Sequence, residues 1–376
     1  MSQGSFIAQP GYLDWRKFKA NGVNLGSWFC LEHYMIPEFF TTHGKGAEDE
    51  WTLCRNQDDK IGAILEDHYN SFFTESDIDT FAAAGVNLLR IPTTYAAWIV
   101  APGSPHYHGT QLQVLKRIAT YAIEKYDMHI ILDLHSLPGG VNWLEIGEAI
   151  GHGDWFYNKT NLELSYQAVK AVIQFIQSSG HVRSYTLAPV NEAVDSKDLR
   201  TFGTDLALSP KAADWLLKYF LGTIERVEAV DPNIPVMLQD SFRGEAFWAP
   251  QLPRSANVVI DTHHYYFAGR SLDLEKVPAV MVEDAKSAAG TGTFPVLIGE
   301  WSLEAEFNNK LELRKKVFDA GRYLFDRYVQ GSCFWAGKVL SAEKIRGEGV
   351  RRDYWSYSHL IKDGVIQPVD PNFKYE

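Results

Sequence analysis

Short apolar runs recur along the chain, each three to seven residues long and most of them followed by a longer stretch with helical spacing. The first is Gly22-Val23-Asn24-Leu25-Gly26; the second is Val86-Asn87-Leu88-Leu89-Arg90-Ile91-Pro92, and the third His129-Ile130-Ile131-Leu132-Asp133-Leu134-His135. Further runs end at Val190, cover 236–239 and 258–261, and lie at Val296-Leu297-Ile298 and Ser332-Cys333-Phe334-Trp335. Each is too short for a buried helix and is bounded by Gly, Pro or polar residues, which reads as a buried strand. Between them, helices are predicted over Thr74–Ala84, Gln111–Tyr126, Asn161–Ser179, Ser209–Val230, Leu272–Ala289 and Asn309–Tyr328. Thr74 with Asp77, and Ser209 followed by Pro210, supply the N-terminal caps; Gly85 and Gly180 supply stops. Residues 1–22 read as an N-terminal lead-in, Phe29–Thr42 as loop-like, and 43–60 as a mobile surface loop.

Eight buried strands, mostly separated by helices, predict one (β/α)8 barrel over 1–376, with elaborated loops between strands and helices. A doubly wound sheet is the rival, but no G-x-G-x-x-G follows any strand. The composition, 45% hydrophobic and 22% charged, suits one sizeable core. A net charge of −11 argues against nucleic acid and anionic membrane as partners. Three cysteines (Cys30, Cys54, Cys333) cannot all pair and form no CxxC; Cys30 and Cys333, beside apolar runs, are expected as buried free thiols. No basic-then-apolar leader is visible at the start and no stretch is long enough to span a bilayer, so a cytoplasmic location is expected.

Polar residues gather at the C-terminal ends of the strands: Arg90, Asp133 with His135, Asn191 with Glu192, Gln239 with Asp240, His263 with Tyr265, Glu300 and Trp335. In a barrel those ends meet on one face. Two of the apolar runs finish on a glutamate, Glu192 after the fourth strand and Glu300 after the seventh, with Gly299 expected to end the strand and Trp301 to shield the carboxyl. Two carboxylates across one barrel mouth are what glycoside hydrolysis requires. Metal chemistry is poorly supported, since no His-Glu-x-x-His is present; a serine nucleophile would need a G-x-S-x-G turn, and Gly139-Gly140 is not followed by a Walker-type lysine. No cofactor is implied.

Taken in order, Gly22–Trp28 with Leu31-Glu32, Leu89–Pro92, Leu132–His135 with Pro138-Gly139, Asn191-Glu192, Asp261–Tyr265, Gly299–Trp301 and Phe334–Lys338 resemble glycoside hydrolase family 5, in its fungal glucan exo-1,3-β-glucosidase-like branch. The resemblance implies a retaining mechanism with Glu192 as acid/base and Glu300 as nucleophile, supporting roles for Arg90, His135, Asn191, His263, Tyr265 and Trp335, and a glucose contact for Glu32. The chemistry of these residue types is consistent with it: Arg90 would hold Glu300 ionised, Tyr265 could donate to it, and a charged Glu300 would push Glu192 toward its protonated form. Three positions depart from the pattern. Ala193 stands where proline is usual, Gly337 where a second tryptophan is usual, and only about eight residues (Trp301–Asn308) follow Glu300 where the secreted glucanases carry a long insertion. A shortened wall would widen the pocket. The expected substrate is a carbohydrate: the end of a β-1,3-glucan, or a disaccharide glycoside cut between disaccharide and aglycone, as rutinosidases and primeverosidases do. An inactive sugar-binding barrel and an endo-acting mannanase or cellulase are the alternatives.

Overall fold

The computed structural model describes residues 6–370 and 372–375. Eight strands, β1 (Ala20–Asn24), β2 (Leu88–Thr93), β3 (His129–Leu134), β4 (Tyr185–Ala188), β5 (Val236–Gln239), β6 (Val258–Tyr266), β7 (Val296–Ala305) and β8 (Gly331–Phe334), pair in parallel in sequence order. β8 closes on β1 through the register Gly331 with Ala20 to Phe334 with Val23. Each strand sends one residue into a common inner layer: Ala20, Leu88, Ile131, Ala188, Met237, Val259, Leu297 and Cys333. Trp15 fills the bottom of that layer and donates its indole N–H to Thr186 Oγ1 at 3.0 Å. Leu13, Trp15 and Phe18 of the lead-in therefore plug the barrel.

The helices are α1 (Pro37–His43), α2 (Glu50–Gln57), α3 (Ile61–Ser71), α4 (Glu75–Ala83), α5 (Gln111–Tyr126), α6 (Lys159–Ser178), α7 (Pro210–Glu228), α8 (Glu245–Trp248), α9 (Val277–Ala288), α10 (Arg314–Tyr328), α11 (Arg352–Trp355) and α12 (Tyr357–Lys362). The long ones bury one stripe each against the barrel, as their 3.6-residue spacing requires; in α5 that stripe is Val114, Leu115, Ile118, Ala119, Ala122 and Ile123. The capping chemistry is present. The Thr74 N–H donates to Asp77 Oδ2 at 2.8 Å, and Ser209 Oγ accepts from the Ala212 N–H at 3.2 Å.

Four expectations are corrected. Residues 43–60 are not a loop: they carry the end of α1 and all of α2, with Asp49, Glu50, Leu53, Cys54 and Gln57 buried. The loop-like stretch after Phe29 likewise contains most of α1. β7 does not stop at Gly299. It runs to Ala305, so the link to α10 is residues 306–313 rather than 301–308. Trp301 does not shield Glu300; successive strand residues face opposite sides, and it packs outward on Phe318, Phe325 and Phe334. The three cysteines are free and buried. Among the described residues no helix is long and apolar enough to cross a membrane.

Candidate active site

Gly299 has a more specific use than ending a strand. Opposite β6, Ile298 pairs with Thr262 while Glu300 pairs with His263, so Gly299 is the extra residue of a bulge. A Cβ on it would lie 1.8 Å from Asp261 Oδ1. Glycine is needed for Asp261 to pass, and the bulge turns Glu300 inward beside His263. On the other side Glu192, beyond the end of β4, holds a left-handed backbone at φ 46°, a conformation that costs a non-glycine residue of order 1–3 kcal/mol and that clusters at active sites.

The two glutamates are buried, and one carboxylate oxygen of each lies within 4.8 Å of the other. His263 sits between them: its Nδ1 is 2.7 Å from Glu192 Oε1 and 3.5 Å from Glu300 Oε2. Arg90, fully buried in the barrel, donates from Nη1 to Glu300 Oε1 at 2.7 Å and to Asn24 Oδ1 at 3.0 Å. Its Nη2 donates to Asn191 Oδ1 at 2.7 Å and lies 3.1 Å from Asp133 Oδ2; its Nε is 3.8 Å from Asp261 Oδ2. Tyr265 donates its hydroxyl to Glu300 Oε2 at 2.8 Å. His135 is held by Asp133 Oδ2 at 2.6 Å, meets Asn191 Nδ2 at 3.3 Å, and stacks on Trp335 with centroids 5.5 Å apart and planes 14° from parallel. Trp335 donates its indole N–H to the Tyr34 hydroxyl at 2.8 Å. Glu32 is buried beside Tyr34, with Oε1 unpartnered.

All nine predicted site residues thus converge on the C-terminal mouth of the barrel. Asp133 joins them through Arg90 and His135, but the remaining polar residues at the ends of β5 and β6 do not. Gln239 and Asp240 accept backbone N–H groups of the turn after β5, at Ser241, Phe242 and Gly244, and His264 faces Asp284 on α9.

Burial is the largest influence on Glu300, His263, Asp133 and Glu32. It pushes the Glu300 carboxyl up, His263 and Arg90 pull it down and Glu192 pushes it up again, so that the carboxyl stays above its usual value. Burial works against a charged His263, but Glu300, Asp261 and Glu192 outweigh it and hold the imidazole well above its usual value. Burial likewise opposes the Asp133 anion, and Arg90 and His135 reverse the balance, so its carboxyl lies below the usual range. Glu32 is driven well up, by burial first and then by Glu145, Glu300 and Glu192.

Sequence reasoning missed Asn24, Tyr34, Glu145 and Trp355. Asn24 ties Arg90 to the bulge by donating to the Gly299 carbonyl at 2.9 Å. Trp355 arrives from the far C-terminus, stacks on Tyr265 at 5.4 Å and donates to Glu304 Oε2 at 2.5 Å. Glu145 and Tyr34 sit in loops with no local periodicity to mark them; only Asn24 lay inside a motif already singled out.

A parallel eight-stranded barrel with two close, buried carboxylates, one just beyond its fourth strand and one within its seventh, is the architecture of a glycosidase. The family model for cellulase, glycosyl hydrolase family 5, matches residues 55–337, and the chain belongs to that family. It is 47% identical to the rutinosidase from Aspergillus niger in its crystal structure, with a TM-score of 0.93, covering 95% of this chain and 100% of that one. It is also 31% identical over 77% of its length to the probable glucan 1,3-beta-glucosidase A of Aspergillus niger, and 28% identical over 77% to glucan 1,3-beta-glucosidase 1 of Schizosaccharomyces pombe. The matched regions span 66% and 69% of those two relatives, and 64% of the corresponding protein of Aspergillus clavatus, so the chain covers about two thirds or slightly less of the glucosidases it resembles.

Proposed function

We propose that the chain is a retaining β-glycosidase of the diglycosidase kind, cutting the β-glucosidic bond between an intact rutinose-type disaccharide and its aglycone. The observation that carries the retaining reading is the oxygen–oxygen approach of Glu192 and Glu300 within 4.8 Å. Retaining sites hold their carboxyl groups about 5–5.5 Å apart, inverting sites roughly 6.5–9.5 Å, because the latter need room for a water. In the first step Glu192 gives its proton to the glycosidic oxygen as Glu300 forms a bond to the anomeric carbon and the aglycone leaves. In the second, Glu192 takes a proton from water, whose oxygen displaces Glu300 from the same carbon.

The remaining side chains fit that sequence of events. Arg90 and Tyr265 each donate to a different oxygen of Glu300, which orients the nucleophile and favours its anion. The Asn191 carbonyl is committed to Arg90 and one amide hydrogen to His135, which leaves the other hydrogen for the sugar 2-hydroxyl. Trp335, fixed by stacking on His135 and by its bond to Tyr34, is the floor under the ring, with Glu32 a free acceptor for hydroxyls.

Likeness over the full length of the rutinosidase, and a link of eight residues (306–313) between β7 and α10, favour a disaccharide in the glycone site. The second reading, removal of glucose from β-1,3-glucan ends, draws its support from the two curated glucosidases. Proton NMR of an aryl glycoside at early turnover tests the retaining step. The β-anomer of the released sugar should appear first; α-anomer first would contradict the mechanism.

A further inference from the structure

β6 carries Asp261, His263 and Tyr265 at alternate positions, so the three share the face turned into the barrel. The last two reach the glutamates, and Asp261 stops below them. It is fully buried, in the space that Gly299 leaves free. Its contacts are poor for a buried carboxylate. Oδ2 lies 3.4 Å from His263 Nε2 and 3.8 Å from Arg90 Nε, and Oδ1 has no hydrogen-bond partner among the described residues. A charge taken out of water for so little bonding costs stability, so packing does not explain it.

The side chain that Asp261 faces does explain it. His263 turns its other ring nitrogen, Nδ1, to Glu192 Oε1 at 2.7 Å. The ring thus has a carboxylate at each end, and an imidazole that donates from both nitrogens is an imidazolium. Glu300 on β7 lies 3.5 Å from Nδ1, and Asp133 on β3 and Asp240 after β5 are also within reach of the ring's charge. The basic groups on this face are Arg90 on β2, engaged by Glu300 and Asp133, and His135 after β3, engaged by Asp133. Burial lowers the proton affinity of the ring; Glu300 and then Asp261 raise it.

We propose that Asp261 is a positioning residue: it keeps His263 protonated at Nε2, so that the Nδ1 proton is in place to steady the Glu192 anion once the acid has given up its own. The inference rests on the reading of Glu192 as the acid. Its Oε1 is taken by His263, which leaves Oε2 to carry the proton to the glycosidic oxygen. Removing the Asp261 charge lowers the proton affinity of the Glu192–His263 pair as a whole, whichever member holds the proton. The alkaline limb of the pH profile, where that pair deprotonates, then moves to lower pH.

The test is kcat/KM against pH for the full-length wild type, Asp261→Asn, His263→Asn and the double variant. Phenyl β-glucoside and phenyl β-rutinoside need a proton on the leaving oxygen; the matching dinitrophenyl glycosides do not. On the phenyl glycosides Asp261→Asn should bring the alkaline limb down by about one pH unit, a loss of about tenfold above the limb and less than about threefold below it. The dinitrophenyl glycosides should show no such displacement, and in the His263→Asn background Asp261→Asn should add none. Coincident alkaline limbs, an equal loss at every pH, or the same displacement without His263 would overturn the role of Asp261. If Asp261→Asn does not fold, NMR of the wild type with nitrogen-labelled histidine decides, the His263→Asn spectrum assigning the signal. Both ring nitrogens should be protonated at pH 7, and a neutral ring would overturn the proposal. A wild type with the same alkaline limb on phenyl and dinitrophenyl glycosides would refute Glu192 as the acid, and the proposal with it.

Discussion

Glu192 and Glu300 have different surroundings, and their substitution should show it. Glu300 is held by an arginine and a tyrosine, Glu192 by a histidine alone. Glu192→Ala should cost about 10²–10⁴ in kcat on glycosides whose aglycone needs protonation, and far less on dinitrophenyl glycosides, which leave unaided. Added azide should give a β-configured glycosyl azide; recovery of the α-product, which follows when the nucleophile is the missing group, would reverse the two assignments. Arg90→Leu removes the guanidinium that faces Glu300, Asp133 and Asp261 in the barrel interior. Leaving buried carboxylates unpaired costs about 3–5 kcal/mol, which denaturant unfolding would register. A loss below about 1 kcal/mol would mean that solvent reaches the cluster. At this scale the sequence was informative where a polar residue interrupts an apolar strand, as Arg90 and Asp133 do. It was silent about Tyr34, Glu145 and Trp355, which reach the site through loops and the C-terminal segment.

Among the elements, the strands were legible because a buried parallel strand has both faces apolar and leaves a continuous run. Their ends were less so. β6 and β7 run past the barrel rim, through His263, Tyr265 and Glu300, where side chains turn polar because they face the site; Gly299 reads as a breaker but forms a bulge. α2 escaped notice because its sequence is largely polar, and its buried positions include Glu50, whose Oε2 accepts the Leu31 N–H at 2.7 Å. Burial raises the Glu50 carboxyl to about 8 against that stabilising bond. A carboxyl raised in the folded state favours folding fully only below its unfolded value, about 4.3, and loses that contribution as pH rises through 8. Glu50→Gln keeps the acceptor and cannot ionise. Thermal unfolding across this range should therefore show the wild type falling progressively behind the glutamine variant between about pH 4.5 and 8; parallel curves would place Glu50 in contact with water.

The whole molecule is a barrel plugged below by Trp15 and walled above by its own C-terminus, with α11 bringing Trp355 against Tyr265. Neither contact has a local signature, since each joins residues far apart in the chain, and both follow only once the strands close into a ring. That closure also makes substrate size a property of the assembled mouth rather than of any motif. The most direct test is mass spectrometry of the sugar released from a flavonol 3-O-rutinoside and from a β-1,3-gluco-oligosaccharide, supplied side by side. An intact disaccharide from the first is the expected result. Glucose from the second, with the rutinoside untouched, would contradict it and make the chain a one-sugar exo-glucosidase.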